Sequence, residues 1–174
     1  MAGRATLLYK YSPDRKGAQP QGHLKQYQSY LHADGYAGYE KLYGSGKITE
    51  VACLAHVRRK FFDLHKANDS LIAREALERI AALYGIEKQI RQQPPDLKRQ
   101  VRHREAKPLF EGLQAWLPEQ LNKIPAKSAL AGAIRYAITR LKRLEIYLED
   151  GRLYRSIIIR QNAACDLSLL VVIM

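Results

Sequence analysis

Acidic residues are scarce in this chain. Its 174 residues include 17 Asp and Glu against 29 Lys and Arg, a formal charge of +12. Such an excess suits a polyanionic partner, because each phosphate neutralised also releases condensed counterions. Ribosomal and membrane-surface proteins share this property, so charge alone names no partner. Cysteine is scarcer still: Cys53 and Cys165 are too few for a disulfide framework or a complete thiolate zinc site. No apolar run approaches the ~20 residues that a membrane helix needs. The start, Met1-Ala-Gly-Arg-Ala, has no extended apolar stretch after its charge, unlike a secretory signal. A cytoplasmic location without membrane contact is therefore expected. Against these absences, 47% of the residues are apolar, enough to fold one domain of ordinary size with a helical appendage.

The first third alternates strand and turn signals. Ala5 to Tyr11 reads as a strand stopped by Ser12-Pro13-Asp14, and Arg15 to Gly22 reads as a polar loop. A short helix through His23 to Tyr27, a second strand over Tyr30 to Asp34, a short helix over Ala37 to Tyr43 and a third strand over Ile48 to Leu54 follow. Strand, helix, strand at this spacing predicts a βαβ unit with parallel neighbours. From about His56 the apolar period becomes helical. Ala76, Ile80, Leu83, Ile86 and Ile90 mark one helix that ends before Pro94-Pro95. Leu130, Ile134, Ala137, Ile138, Leu141, Leu144 and Leu148 mark another, from about Lys127 to Asp150, with Gly151 as its stop. The final stretch ends in Leu169-Leu-Val-Val-Ile-Met174, an apolar finish without turn chemistry or gatekeeping charge.

Three groups of residues have chemical potential. Asp34 closes an apolar strand just before Gly35. That position suits a turn aspartate, and it also suits a carboxylate at the carboxyl end of a strand, where α/β sheets bind ligands and hard cations such as Mg²⁺. A single carboxylate cannot hold the paired metals of phosphoryl transfer, so Asp34 needs acidic partners. The second group is Cys53-Leu-Ala-His56-Val-Arg58-Arg59-Lys60. Cys53 fits a small buried hydrophobe, and His56 fits a core or capping histidine. Arg58, Arg59 and Lys60, at a strand-to-helix junction, fit either a phosphate contact or a solvated charge run. The third group is the basic segment with Lys98, Arg99, Arg102, Arg104 and Lys107, read as a DNA-facing loop or an exposed connection between helices. Tyr27, Tyr30, Tyr36, Tyr39 and Tyr43 cluster around Asp34, and packing against the sheet is favoured over stacking on bases.

Four blocks in order give these residues a common context: Tyr11-Ser-Pro-Asp-Arg-Lys16, Leu31-His-Ala-Asp34-Gly-Tyr-Ala-Gly-Tyr39, Cys53-Leu-Ala-His56-Val-Arg-Arg-Lys-Phe61 and Tyr147-Leu-Glu-Asp-Gly-Arg-Leu153. Together they resemble the central region of the insertion-sequence-66 type of bacterial transposases, over about residues 6 to 153. Leu54 departs from the pattern, which usually has tryptophan there. The resemblance implies an α/β fold: an incomplete ribonuclease-H-like core with a short mixed sheet over residues 4–60, and a mainly α-helical insertion over 61–150. It implies Mg²⁺ as cofactor, held by an Asp, Asp, Glu triad whose second aspartate Asp34 matches. It also implies transposon-end DNA as partner, with His56, Arg58, Arg59, Lys60, Lys98, Arg99, Arg102 and Arg104 as candidate DNA contacts. Intact transposase subunits are a further candidate partner.

The resemblance also predicts a defect. The first aspartate is expected upstream of Met1. The family's glutamate lies in an Asp-Asn-Asn-x-Ala-Glu-Arg block directly after Gly-Arg-Leu, whereas Tyr154-Arg-Ser-Ile-Ile-Ile-Arg-Gln-Asn-Ala-Ala-Cys165 follows Leu153 here. Codons exist that reconcile the two. With Ser156 as TCG and Ile157 onward as ATA ATA ATC CGG CAG AAC GCG, reading from the last base of the serine codon gives Asp-Asn-Asn-Pro-Ala-Glu-Arg. A frame slip near Leu153 to Arg155 is expected, with 154–174 as an out-of-frame tail. The chain is then read as a transposase fragment without activity of its own, or alternatively as a non-catalytic DNA-binding or inhibitory protein.

Overall fold

The structure, a computed structural model, describes residues 18–33, 37–44 and 46–153. The strand expected over Ala5 to Tyr11, the residues Asp34 and Tyr36, and the tail from Tyr154 lie outside the described residues. The chain divides into two compact units between Ala52 and Cys53.

In the first unit, α1 (Ala18–His23) precedes β1 (Ser29–Ala33), and a 3-10 turn (Ala37–Tyr39) runs into α2 (Glu40–Tyr43) before β2 (Ile48–Ala52). The strands pair in parallel, with Ser29 opposite Ile48 and Ala33 opposite Ala52. This is the expected βαβ arrangement. The helix expected over His23 to Tyr27 forms earlier instead, over part of the stretch read as a polar loop. Pro20 is no obstacle there, because the first turn of a helix leaves its N–H groups unpaired anyway. Leu24, Leu31, Leu42 and Ile48 form the core, with Tyr27, Tyr39 and Tyr43 packed against it. The Tyr27 hydroxyl donates to the Tyr30 carbonyl at 2.9 Å. Packing is thus the role the structure gives these three tyrosines.

The second unit is helical: α3 (Leu54–Asn68), α4 (Leu71–Gln89), α5 (Pro95–Val101), a π-helical stretch (Arg102–Ala106), α6 (Lys107–Leu121), α7 (Ala129–Leu144) and α8 (Ile146–Glu149). Helix α3 packs on α4 and α7, and α6 packs on both α4 and α7. Serine hydroxyls start two of the helices: Ser70 accepts from the Ala73 N–H at 3.3 Å and Ser128 from the Ala131 N–H at 3.1 Å. Each meets a donor that the helix itself leaves unpaired. Asp69, at φ 46°, closes α3 in the left-handed region and returns its N–H to the His65 carbonyl. The two-residue link to α4 makes α3 and α4 antiparallel neighbours.

Two differences from the sequence reading share one cause. The basic segment is no loop: α5, the π-helical stretch and α6 are consecutive helical elements from Pro95 to Leu121. Pro95 occupies the first position of α5, where a missing N–H costs nothing. Pro108 cannot donate to the carbonyl four residues back, and the widened turn before it accommodates this, with the Lys107 N–H reaching the Arg102 carbonyl. The wide turn also directs Arg102 and Ala106 inward, in line with the buried Phe110, Leu113 and Leu117 of α6. The helix expected from Lys127 to Asp150 in turn breaks at Glu145. Beyond it, the carbonyls of Tyr147 and Asp150 accept from Arg102 Nη1 at 2.9 and 3.0 Å, outside the helical ladder.

Candidate nucleic-acid interface

Asp34 directly follows the last residue of β1, and the pairing of Ala33 with Ala52 sets the carboxyl ends of both strands side by side. Its own geometry lies outside the described residues. Among the described residues no three His, Cys, Asp or Glu side chains come together as a metal site requires. Asp34, the one residue of this chain that the resemblance assigns to the metal, lies outside that set, and no catalytic step is derived through a two-metal centre.

The basic triplet occupies the fifth to seventh positions of α3, beyond the first turn whose free amides would meet a phosphate. Consecutive helical residues point ~100° apart, so three in a row cannot share a face. Arg58 is half-buried, its guanidinium 5.6 Å from the Phe62 ring and close enough to α4 to act on Tyr84. Burial, with the nearby Cys53, raises the Tyr84 hydroxyl pKa well above its ordinary value, against the pull of Arg58. Arg59 is exposed. Lys60 leans the other way, its Nζ 4.7 Å from the Tyr136 ring of α7. Cys53 is buried, just before the start of α3, as a small hydrophobe should be. His56, half-buried in the first turn, sends its N–H to the Cys53 carbonyl at 3.3 Å.

The second basic group is split by burial. Arg102, read as a DNA contact, is fully buried. Its Nε and Nη2 donate to the two carboxylate oxygens of the equally buried Glu87 at 2.7 and 2.9 Å. Arg102 is therefore a structural residue, withdrawn from solvent because a bidentate carboxylate and two carbonyls meet its donors. Glu87 was the missed signal: it stands in the apolar stripe of α4 between Leu83 and Ile90, where a carboxylate requires a cationic partner. Lys98 is half-buried, and its ammonium pKa is lowered first by burial and then by the Arg102 charge. Arg104 is exposed but donates to Glu105 Oε1 at 2.6 Å. Arg99 is exposed.

The sequence reading passed over the charges of α7. Lys127 to Leu144 contains Arg135, Arg140, Lys142 and Arg143 and no Asp or Glu. Arg135, Thr139 and Lys142 are exposed on one face, and Arg140 lies with its guanidinium 5.3 Å from the same Tyr136 ring that Lys60 approaches. The acid-free run was legible in the sequence, whereas its place beside the α3 basic triplet was not. No helix among the described residues is long and apolar enough to cross a membrane.

Comparison with known proteins relates this sequence to others. The uncharacterized protein y4hP of Sinorhizobium fredii is 34% identical over 161 residues, covering 83% of this chain and 29% of that protein. The uncharacterized proteins y4qI and y4jD of the same organism are 32% and 33% identical, covering 84% and 82% of this chain and 29% of each relative. The chain thus spans under a third of the length of the curated relatives it matches. No solved structure matches it. The family described as Transposase IS66 family matches residues 2–156, a span that includes every described residue, and the chain belongs to that family.

Proposed function

We propose that this chain is part of the catalytic region of an insertion-element transposase, whose reaction is metal-dependent phosphoryl transfer on transposon DNA, and that the chain alone does not perform it. The family match over residues 2–156 carries the reading. The parallel β1–β2 pair, with Asp34 next after β1, is consistent with the edge of a ribonuclease-H-like core. Asp34 is the one Mg²⁺ ligand proposed for this chain, and one carboxylate leaves such ions largely hydrated and unpositioned. The positive charge supports DNA as partner, and it equally supports the second reading of a non-catalytic DNA-binding or inhibitory protein acting beside intact transposase.

Purified chain incubated with supercoiled plasmid or element-end duplexes and Mg²⁺ is expected to show neither nicking nor strand joining. Metal-dependent nicking that disappears in Asp34→Ala would overturn this.

The tail is proposed to be translated out of frame. The family match stops at residue 156, next to the Leu153 to Arg155 stretch where the frame slip is expected, and this supports the reading. The nucleotide sequence of the locus tests it: the block Asp-Asn-Asn-x-Ala-Glu-Arg should be encoded in another frame at Ser156 to Ala163. An uninterrupted alternative frame without that block would show the tail to be native sequence.

A further inference from the structure

We infer that the outward face of α7, with Lys60 of α3 at its side, is the surface by which this chain holds the sugar–phosphate backbone of duplex DNA. The inference rests on the DNA reading proposed above and assigns it to a face, largely of residues other than the basic motifs first suggested.

Spacing is the first support. Arg135, Thr139 and Lys142 stand at i, i+4 and i+7, all exposed, so they form one stripe. That stripe is about 10 Å long, close to the rise of about three nucleotides on one strand. Arg135 is aimed along the surface by a bond from Nη2 to the Ala126 carbonyl, 2.7 Å long, which leaves other guanidinium donors for a phosphate.

Charge distribution is the second. Five arginines elsewhere in the helical unit sit within reach of carboxylates: Arg74 with Glu78, Arg79 with Glu75, Arg102 with Glu87, Arg104 with Glu105 and Arg152 with Asp150. Their fields are largely cancelled locally. Helix α7 contains no carboxylate of its own, and its Arg135 and Lys142 are both exposed to solvent.

Third, the Tyr136 ring gathers cations from two helices. Lys60 Nζ lies 4.7 Å and Arg140 Cζ 5.3 Å from its centroid. Attraction to the ring keeps cations of both helices at the junction of α3 and α7. A phosphate at this junction can therefore meet cations from both helices.

The test uses the full 174-residue chain and a fluorescein-labelled duplex of arbitrary sequence, titrated over a salt series. One variant is Arg135→Ala with Lys142→Ala. The control, Arg74→Ala with Lys88→Ala, removes the same charge from exposed positions on α4. The α7 variant should bind at least about tenfold more weakly, with a log–log salt slope shallower by about 2, the value for two lost phosphate contacts. The control should keep the parental slope. If the double variant fails to fold by circular dichroism, Lys142→Glu alone supplies the same comparison. An α7 variant with parental slope, a control that loses as much, or tighter binding to duplex RNA than to DNA overturns the inference while leaving the chain a nucleic-acid binder. If the parent chain binds no duplex at low salt, the DNA reading itself falls and this face falls with it.

Discussion

Replacing Arg102 by alanine should lower the stability of the helical unit by about 3–5 kcal/mol, the usual cost of breaking a buried ion pair from one side. The magnitude follows from what the guanidinium leaves behind. The Glu87 carboxylate, with no solvent exposure, would lose both bidentate hydrogen bonds. The carbonyls of Tyr147 and Asp150 would lose their donor, and the Tyr147 ring would lose the cation 5.2 Å from its centroid. A buried anion without a partner is among the costliest defects a core can contain. Thermal unfolding should register a fall of roughly 10 °C or more. Arg102→Lys should recover only part of the loss, since a point-like ammonium cannot serve a bidentate carboxylate and two carbonyls together. The double variant Glu87→Leu with Arg102→Met should be far less damaged than the sum of its single changes, because it removes the charge and its partner at once. A melting temperature in Arg102→Ala within about 2 °C of the parent would refute the buried-latch account.

Gly151→Ala should be nearly as harmful, for a steric reason. Gly151 is buried, and a methyl group built on its Cα would fall on the carbonyl of Pro95, with the Pro95 Cα only 2.8 Å away. The obstacle is backbone at the start of α5, which no rotamer change can move aside. Relief requires the turn after α8 to separate from α5, which would strain the nearby bonds from Arg102 to Tyr147 and Asp150. Overpacking of this kind costs about 1–3 kcal/mol, and backbone contact puts Gly151→Ala at the upper end. Urea denaturation should show a lower midpoint with an unchanged slope. Equal midpoints would mean that the two segments separate freely. The neighbouring Asp150 adds to the order of this turn: its hydrogen bond from Arg152 holds the carboxyl pKa below the ordinary value, against some burial. A carboxylate with a depressed pKa stabilises the fold above its unfolded-state value and loses that contribution as pH falls through the folded-state value.

Several elements were legible because local chemistry and packing agree on them. The stripe Ala76, Ile80, Leu83, Ile86 and Ile90 is buried as its spacing requires, and that helix ends before Pro94-Pro95 as expected. The βαβ unit followed from two apolar strands with a short helical link between them. The stop at Gly151 was expected as a C-cap, whereas its role in the structure is close approach to Pro95. Helix α6 was hidden, because Pro108, Gly112 and Pro118 argue against a helix while Phe110, Leu113, Trp116 and Leu117 bury its inner face. There packing outweighed propensity. Of the residues first proposed for DNA contact, the sequence could not separate Arg102 from Arg99 or Arg104, since all three look alike in a run of cations.

The family, the basic character, the parallel strand pair and the helical periods were determined by the amino-acid sequence, because each depends on short-range order or on summed charge. Tertiary structure alone decided which cations face water. Arg102 found Glu87 fifteen residues back and two carbonyls some forty-five residues on, partners that no local window contains. Lys60 and Arg140 met at Tyr136 only because α3 packs on α7. Burial of a charge depends on what lies opposite it in space, and that is fixed by how the helices pack and not by the residues beside it in the chain.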